Sequence, residues 1–198
     1  KLEDGSHAVV KFYRPGRWTR DQIFEEHEFL FDLEAAEIPV CVPIPLKSGG
    51  TIGLDRGLFF AVWPRTGGRS PDELTVEDAE ILGRFLARLH NTGSTKKASH
   101  RIVLNTEKYI EEPLRFLKDG NFLPARLEER FASAARKAAE YYEQMSASVP
   151  FHRIHGDCHK GNLLRGEGGF FFLDFDDFLT GPAVQDVWML VPERDENG

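Results

Sequence analysis

The sequence predicts an α+β fold in which a small strand-rich lobe precedes a larger, mainly helical lobe. Two short apolar runs, at 8–13 and 58–63, are typical of strands, whereas the patterns that follow repeat at helical spacing. A glycine-rich connector without periodicity joins the two regions. We therefore expect the boundary near residue 66, with 1–66 in the smaller lobe and 67–198 in the larger one.

The smaller lobe is expected to contain one long helix. The residues from Thr19 to Gln22 form a capping-box pattern, and helical periodicity then continues to about residue 36. Pro39 follows shortly afterwards and cannot continue a helix. This helix carries acidic residues as well as apolar ones, so its orientation matters for the polar residues of the neighbouring strand.

A single lysine, Lys11, lies in the middle of the first strand. Burying a lysine without a partner is costly, so we expect it to meet a carboxylate or a polar cleft. At about 100° per residue, Glu26 shares a face of the helix with Leu30 and Leu33, which should point inward. The sequence therefore predicts a buried Lys11–Glu26 ion pair.

Three helical patterns follow in the larger lobe. The first begins at the cap residue Thr75 and ends near residue 93, the second covers 106–118 with an interruption at Pro113, and the third covers 125–146. The third carries an apolar stripe that we expect to face the core: Leu127, Phe131, Ala134, Ala138, Tyr141 and Met145.

The densest set of reactive side chains flanks a predicted β-hairpin. If the hairpin turns at Gly168, Asn162 and Asp174 are equally distant from the turn and lie side by side, with Asp157 at the other end of a short loop. Amide and carboxylate oxygens suit Mg²⁺, and a further carboxylate can orient a hydroxyl and take its proton. The spacing therefore predicts phosphoryl transfer, with Asn162 and Asp174 as metal ligands and Asp157 as the base.

Composition and charge narrow the classes of partner and cellular location that fit this chain. The 198 residues contain 25 Lys and Arg against 32 Asp and Glu, a net charge of −7 that disfavours nucleic acid as a partner. Cys41 and Cys158 form no CxxC motif, and no apolar stretch is long enough to span a bilayer. We expect a cytoplasmic protein without membrane contact.

The absence of an initial Met and the ending shortly after an apolar run suggest a piece of a longer chain, truncated at both ends.

These residues resemble the kinase signature set in its aminoglycoside and choline phosphotransferase form: Lys11 in its strand, Glu26, His155-x-Asp157-x-x-x-x-Asn162 and Asp174. Further blocks resemble the bacterial stress response kinase A group: Val10-Lys11-Phe12-Tyr13-Arg14-Pro15, Glu25-Glu26-His27, Gly67-Gly68-Arg69, His155-Gly156-Asp157-Cys158-His159 and Gly181-Pro182-Ala183-Val184-Gln185-Asp186. The blocks span nearly the whole chain.

The resemblance implies a bilobal protein-kinase-like fold that binds ATP and Mg²⁺ between its lobes. It further implies phosphorylation of Ser or Thr hydroxyls of proteins. We separately expect a monomer. Carried over by position, Asp157 is the base, Asn162 and Asp174 hold the metal, and Lys11 contacts phosphate with Glu26 as its partner. The resemblance also places a hinge at 60–65 that contacts adenine, with these residues at its start: Phe60, Ala61, Val62 and Trp63. Asp186 matches a structural aspartate that tethers the catalytic loop.

Two alternatives to a protein kinase stay open. A small-molecule kinase acting on an amino alcohol such as choline, an aminoglycoside, homoserine or a sugar would share every catalytic residue. A non-catalytic nucleotide-binding fragment is the other alternative, because the glycine-rich loop that covers the phosphates would precede the first residue. Asp176 and Asp177 fit a solvated acidic turn as well as they fit a role in the site.

Overall fold

A three-stranded antiparallel sheet forms the beginning of the fold. The computed structural model describes residue 5 and residues 7–191. Strand β1 (Ala8–Phe12) pairs with β3 (Leu58–Pro64), and the other edge of β3 pairs with β2 (Gly53–Asp55). In this register Lys11 lies opposite the fully buried Ala61. Both predicted strands are confirmed.

Helix α1 (Arg20–Ala35) packs beside this sheet and begins as its capping box predicts. The Thr19 hydroxyl accepts a hydrogen bond from the Gln22 backbone at 3.3 Å, and the Gln22 side chain accepts one from the Thr19 backbone at 2.9 Å. The buried face of the helix includes Glu26 together with apolar residues. The predicted inward orientation of Glu26 is therefore confirmed.

The described residues of the larger, mainly helical part form four further α-helices. They are α2 (Val76–Gly93), α3 (Glu112–Asp119), α4 (Ala125–Ser146) and α5 (Val184–Trp188). A π-helical turn, Glu107–Glu111, runs directly into α3. Pro113 lies at the start of α3, where a missing backbone donor is tolerated, so the predicted interruption is a change of helix type.

Two short antiparallel strand pairs hold the reactive segments. Strand β4 (His152–Ile154) pairs with β7 (Leu179–Gly181), and β5 (Leu163–Gly166) forms a hairpin with β6 (Gly169–Phe172). The hairpin packs against α1 and α2. The fully buried side chains of this core come from all three elements and from the segment after the hairpin: Phe29, Leu33, Leu82, Leu89, Phe172, Phe175 and Phe178. One core therefore fixes α1 relative to the hairpin.

The expected core stripe of α4 is wrong. Its large residues are exposed, at 40% for Leu127, 45% for Phe131, 56% for Tyr141 and 78% for Met145, and Ala134 and Ala138 are exposed too. The helix instead buries Ala132 and Ala139 as it packs beside α3 and the π-helical turn. Small side chains permit this close approach, so they decide which face is covered.

The α+β architecture is as predicted, while the boundary near residue 66 stays a prediction. Within the described part of the chain, no helix combines the length and the apolar character needed to cross a membrane.

Candidate active site

A cavity of about 390 Å³ lies between the three-stranded sheet, α1 and the β5–β6 hairpin. Its charged lining includes Lys11, Glu26 and Asp174, and Trp63 and Phe172 contribute apolar walls. An apolar cleft with a few convergent polar groups is typical of a small-molecule or cofactor site. Four of the sequence-predicted site residues, these three charged residues and Trp63, therefore line one cavity.

Part of the segment expected to contact adenine lines this cavity. Of the four residues proposed, Trp63 lines the cavity, and Pro64, Arg65 and Thr66 extend the lining beyond it. Phe60, Ala61 and Val62 are instead paired within the sheet, opposite residues 12, 11 and 10 of β1. Trp63 and Pro64 continue the same pairing opposite residues 9 and 8, so pairing does not separate them from the preceding residues. The adenine contact at 60–65 stays a prediction.

Lys11 bridges the two acidic residues that follow the hairpin. Its Nζ forms an ion pair with Asp174 at 2.5 Å and a second, short one with Asp176. The predicted ion pair with Glu26 is therefore corrected, because the described partners of Lys11 come from the other side of the cleft. Burial lowers the pKa of Lys11, but nearby Asp176 and Glu26 outweigh it, so the pKa is raised and Lys11 is charged.

Glu26 lies buried beside this cluster and is held by a neutral network. Tyr13 Oη donates to its Oε2 at 3.3 Å and also lies 3.2 Å from His27 Nε2. Burial, followed by the negative charge of Asp176, raises the pKa of Glu26 to about 8, although Lys11 opposes this shift. Burial also lowers the pKa of His27 to about 4. Burial thus favours the protonated form of Glu26.

The loop that carries Asp157 is tethered by the buried carboxylate of Asp186. This carboxylate accepts hydrogen bonds from the backbone of His155 at 2.9 Å and of Gly156 at 2.8 Å. His90 Nε2 lies 2.9 Å from the same group. Gly156 has φ 85°, and a Cβ there would lie 2.3 Å from the Asp177 carbonyl, so only glycine fits. The structure thus gives Asp186 the tethering contacts that the resemblance implies.

His155 connects this loop to the end of the hairpin. Its Nε2 lies 2.8 Å from the Leu173 carbonyl and its Nδ1 lies 3.3 Å from the Asp157 backbone nitrogen. The carbonyl can only accept, so we assign the hydrogen to Nε2 and the accepting role to Nδ1. Complete burial lowers the pKa of His155, which favours this neutral form. His155 therefore braces the loop.

Asn162 is directed onto Asp157. Its Nδ2 donates to the Asp157 carbonyl at 2.8 Å and to Asp157 Oδ2 at 3.2 Å. His159 Nε2 lies 3.5 Å from the same Oδ2. These contacts orient the Asp157 carboxylate, and they turn the amide oxygen of Asn162 away from it.

The hairpin register differs by one residue from the predicted one. Leu163 pairs with Phe172 around a two-residue turn, and the Leu173 backbone donates to the Asn162 carbonyl at 2.9 Å. Asp174 therefore lies one residue beyond the partner of Asn162, and its left-handed backbone, at φ 57°, redirects the chain there. Both residues still lie at the same end of the hairpin.

The donor set at this end of the hairpin fits Mg²⁺. It offers the Asp174 carboxylate and the Asn162 amide oxygen, and Mg²⁺ accepts one or two carboxylates while water and phosphate oxygens complete its shell. Among the residues that the structure describes, no three His, Cys, Asp or Glu side chains form a metal site by themselves. A magnesium ion here would take the rest of its oxygen ligands from water or phosphate.

Two contacts from the smaller lobe to the acidic segment had no clear signal in the sequence. Asp176 is a partner of Lys11, and Arg17 Nη2 donates to both carboxylate oxygens of Asp177 at 2.7 Å. The sequence offered only a weak hint that Asp176 pairs with Lys11, namely its position two residues after Asp174. The Asp176 side chain is only 14% exposed and pairs with Lys11, so the interpretation of a solvated turn is wrong for Asp176. The Asp177 side chain pairs with Arg17 and is 42% exposed.

Comparisons with known proteins agree with this geometry. A model of the phosphotransferase enzyme family matches residues 1–197. Stress response kinase A of Escherichia coli (strain K12) is 40% identical over 197 residues, which cover 96% of this chain and 57% of that protein. A Salmonella typhimurium protein named serine/threonine protein kinase RdoA is 37% identical over 193 residues, with the same coverages of 96% and 57%. The chain thus spans somewhat more than half the length of these relatives.

A solved structure supports the fold independently. An amicoumacin kinase in complex with AMP-PNP, Ca²⁺ and amicoumacin superposes with a TM-score of 0.74 at 19% identity. The match covers 98% of this chain and 62% of that one. At such low identity the likeness concerns the fold, whereas the family follows from the match over almost the whole sequence. The chain belongs to the phosphotransferase enzyme family.

Proposed function

We propose that this chain is the nucleotide-binding part of an ATP- and Mg²⁺-dependent kinase that phosphorylates Ser or Thr hydroxyls of proteins. The observation that supports this most is the placement of Asp157, oriented by Asn162, at the end of a hairpin whose other strand leads to Asp174. Lys11 reaches the same point from the opposite side of the cleft. A monomeric protein of the reducing cytoplasm is consistent with two free cysteines.

In the proposed reaction, Asp157 is the base. Asn162 and His159 both approach Oδ2, so Oδ1 is the oxygen that receives the proton of the acceptor hydroxyl. Lys11 contacts the phosphates, with Asp174 and Asp176 fixing its ammonium group. When Mg²⁺ is bound, it neutralises the charge that develops on the transferred phosphoryl group, and Asn162 and Asp174 would hold it.

The protein acceptor is inferred from relatives. Their names identify stress response kinases and a serine/threonine kinase, and the chain is 37% to 40% identical to them. A small cationic acceptor is the second candidate, because four carboxylates gather at this end of the cleft: Asp157, Asp174, Asp176 and Asp177. The amicoumacin kinase that shares the fold acts on a small molecule.

Phosphate transfer to a protein tests the proposal. The chain is incubated with labelled ATP, Mg²⁺ and a generic protein acceptor, beside Asp157→Asn and the control Asp119→Asn at the exposed end of α3. Removing a general base costs about 10²- to 10⁴-fold in rate, so Asp157→Asn should lose transfer while nucleotide affinity is retained. Asp119→Asn should behave as the wild type does.

Three results would separate the candidates. Transfer to protein that depends on Asp157 supports the kinase, whereas transfer only to an amino alcohol or an aminoglycoside favours the small-molecule alternative. Nucleotide binding without transfer to either acceptor indicates a non-catalytic fragment. Undiminished transfer by Asp157→Asn refutes the assignment of the base.

A further inference from the structure

A buried arginine, Arg101, joins helix α1 to the segment that follows Asp174. Its side chain lies in the interior, with 4% of the residue exposed. Nε donates to the Phe178 carbonyl at 2.9 Å, Nη1 donates to the Gln22 carbonyl at 3.3 Å, and Nη2 makes a short bond to the Asp176 carbonyl. One guanidinium therefore satisfies three backbone carbonyls from two different elements.

The guanidinium lies over two aromatic rings. Its carbon lies 4.3 Å from the centre of the Trp18 ring and 4.2 Å from that of Phe178. Such stacking is favourable for a delocalised cation and restricts the rotation of its plane. The hydrogen bonds consequently have a fixed direction.

The backbone around Arg101 is attached to α1 as well. The Glu25 carboxylate accepts hydrogen bonds from the backbone of Ser99 at 2.6 Å, of His100 at 3.0 Å and of Arg101 at 3.1 Å. The loop therefore moves with α1, and its arginine extends from there to residues 176 and 178.

We propose that Arg101 is a positioning residue that sets Asp174 and Asp176 relative to Lys11 and α1. The inference rests on the proposed function, in which Asp174 is a metal ligand. Gln22 precedes Glu26 by one helical turn, so the arginine connects the acidic segment to the same helix that carries Glu26. Asp174 has a left-handed backbone that neighbouring contacts must maintain, and the bonds to residues 176 and 178 lie directly after it.

Arginine suits this position for a geometric reason. Its donors diverge in one plane and reach three carbonyls at once, whereas the compact ammonium of lysine cannot span them or stack on both rings. Arg101→Lys keeps the charge but loses the fork. Arg101→Met keeps much of the apolar stem between the rings and removes the buried charge. If the lysine variant does not fold, the methionine variant tests whether Arg101 positions Asp174 and Asp176.

The chain offers a matched control, Arg153. This arginine is also 4% exposed, donates to the carbonyls of Thr92 and Gly93 at 3.2 and 3.3 Å, and stacks on the Phe29 ring at 4.5 Å. It also pairs with Asp32 near the other end of α1 at 2.9 Å. Arg153→Lys therefore removes a similar set of buried hydrogen bonds that go to α2 and Asp32, and it reaches Phe175 and Phe178 only through the Phe29 ring.

Two measurements test the proposal on the folded chain. Hydrogen exchange of the amides at 174–178 needs no ligand, and exchange should become faster in both Arg101 variants and change clearly less in Arg153→Lys, which contacts this segment only through Phe29. Binding of Mn²⁺ in the presence of ADP, followed by electron paramagnetic resonance of the free ion, should weaken about tenfold or more in the Arg101 variants. Arg153→Lys should lower stability yet retain the Mn²⁺ affinity.

Unchanged exchange at 174–178 in a folded Arg101 variant would overturn the inference, as would equal losses in the Arg101 and Arg153 variants. Wild-type chain that binds no Mn²⁺ with ADP would instead refute the proposed function and the metal part of the inference. The exchange measurement would then still decide whether Arg101 orders the segment.

Discussion

Replacing Asp186 tests how the loop that carries Asp157 is held. The buried carboxylate accepts two backbone hydrogen bonds at 2.8 and 2.9 Å and contacts the side chain of His90 at 2.9 Å. Asp186→Ala leaves two buried N–H groups and a histidine without their acceptor. Hydrogen bonds to charged groups contribute about 1.5–3 kcal/mol each, and breaking a buried charged pair costs about 3–5 kcal/mol. We expect the free energy of unfolding to fall by about 3–5 kcal/mol.

Asp186→Asn is a more conservative substitution and should lower the free energy of unfolding by less. Asp186→Asn can retain one oxygen for the His155 backbone and His90, but its NH₂ group must then face the backbone N–H of Gly156. We expect a loss of about 2 kcal/mol, because one charge-assisted bond is replaced by two opposed donors.

Urea denaturation followed by circular dichroism measures both losses. Asp55→Asn serves as the control, since this side chain is 62% exposed on β2 and its loss should change stability by less than about 0.5 kcal/mol. If Asp186→Ala unfolds within about 1 kcal/mol of the wild type, the carboxylate does not hold the loop as described.

Three further substitutions test separate parts of the fold. Gly68→Ala should lower stability by about 1–3 kcal/mol, because φ is 144° and the new Cβ would lie 3.0 Å from the Arg165 carbonyl. Gly67→Ala, whose Cβ meets no atom within 4 Å, is its control, and equal denaturation midpoints for the two would contradict the prediction. The pKa of Glu26 is raised from 4.5 to about 8, so the folded state binds this proton more tightly than the unfolded state does. The free energy of unfolding should therefore decline as the pH rises from 4.5 to about 8. Glu26→Gln should remove this decline in denaturation curves taken across this pH range, and parallel pH profiles for the two proteins would refute it. Thr19→Ala should cost about 1 kcal/mol by removing the cap of α1, and an unchanged melting temperature would argue against the capping box.

Helix ends were predictable because the signals that set them are local. Thr19 and Thr75 each cap the helix that follows through their own side chains, and the pattern at 125–146 matches α4. The covered face of α4 was not predictable in the same way. Periodicity shows which face is apolar, whereas packing beside α3 depends on how closely the helices approach, and there the alanines decide.

The residues of the candidate site were predictable, but several of their contacts were not. Spacing around the hairpin brings Asn162 and Asp174 to one end, yet a change of one residue in the turn shifts which residues pair. Lys11 takes its partners from the segment after the hairpin, a choice that depends on how distant parts of the chain meet. Arg101 lies in a loop without periodicity, so nothing in the local pattern marked it.

The backbone at Asp174 limits the amino acids that can occupy this position, whatever the chemistry demands. Its φ of 57° suits glycine, asparagine and aspartate, while branched or bulky side chains are strained there. Of those three tolerated residues, only aspartate carries a negative charge. Substitutions that this backbone tolerates at position 174 are thus neutral. Glutamate would preserve the charge, but its side chain would strain the backbone even in the absence of a ligand.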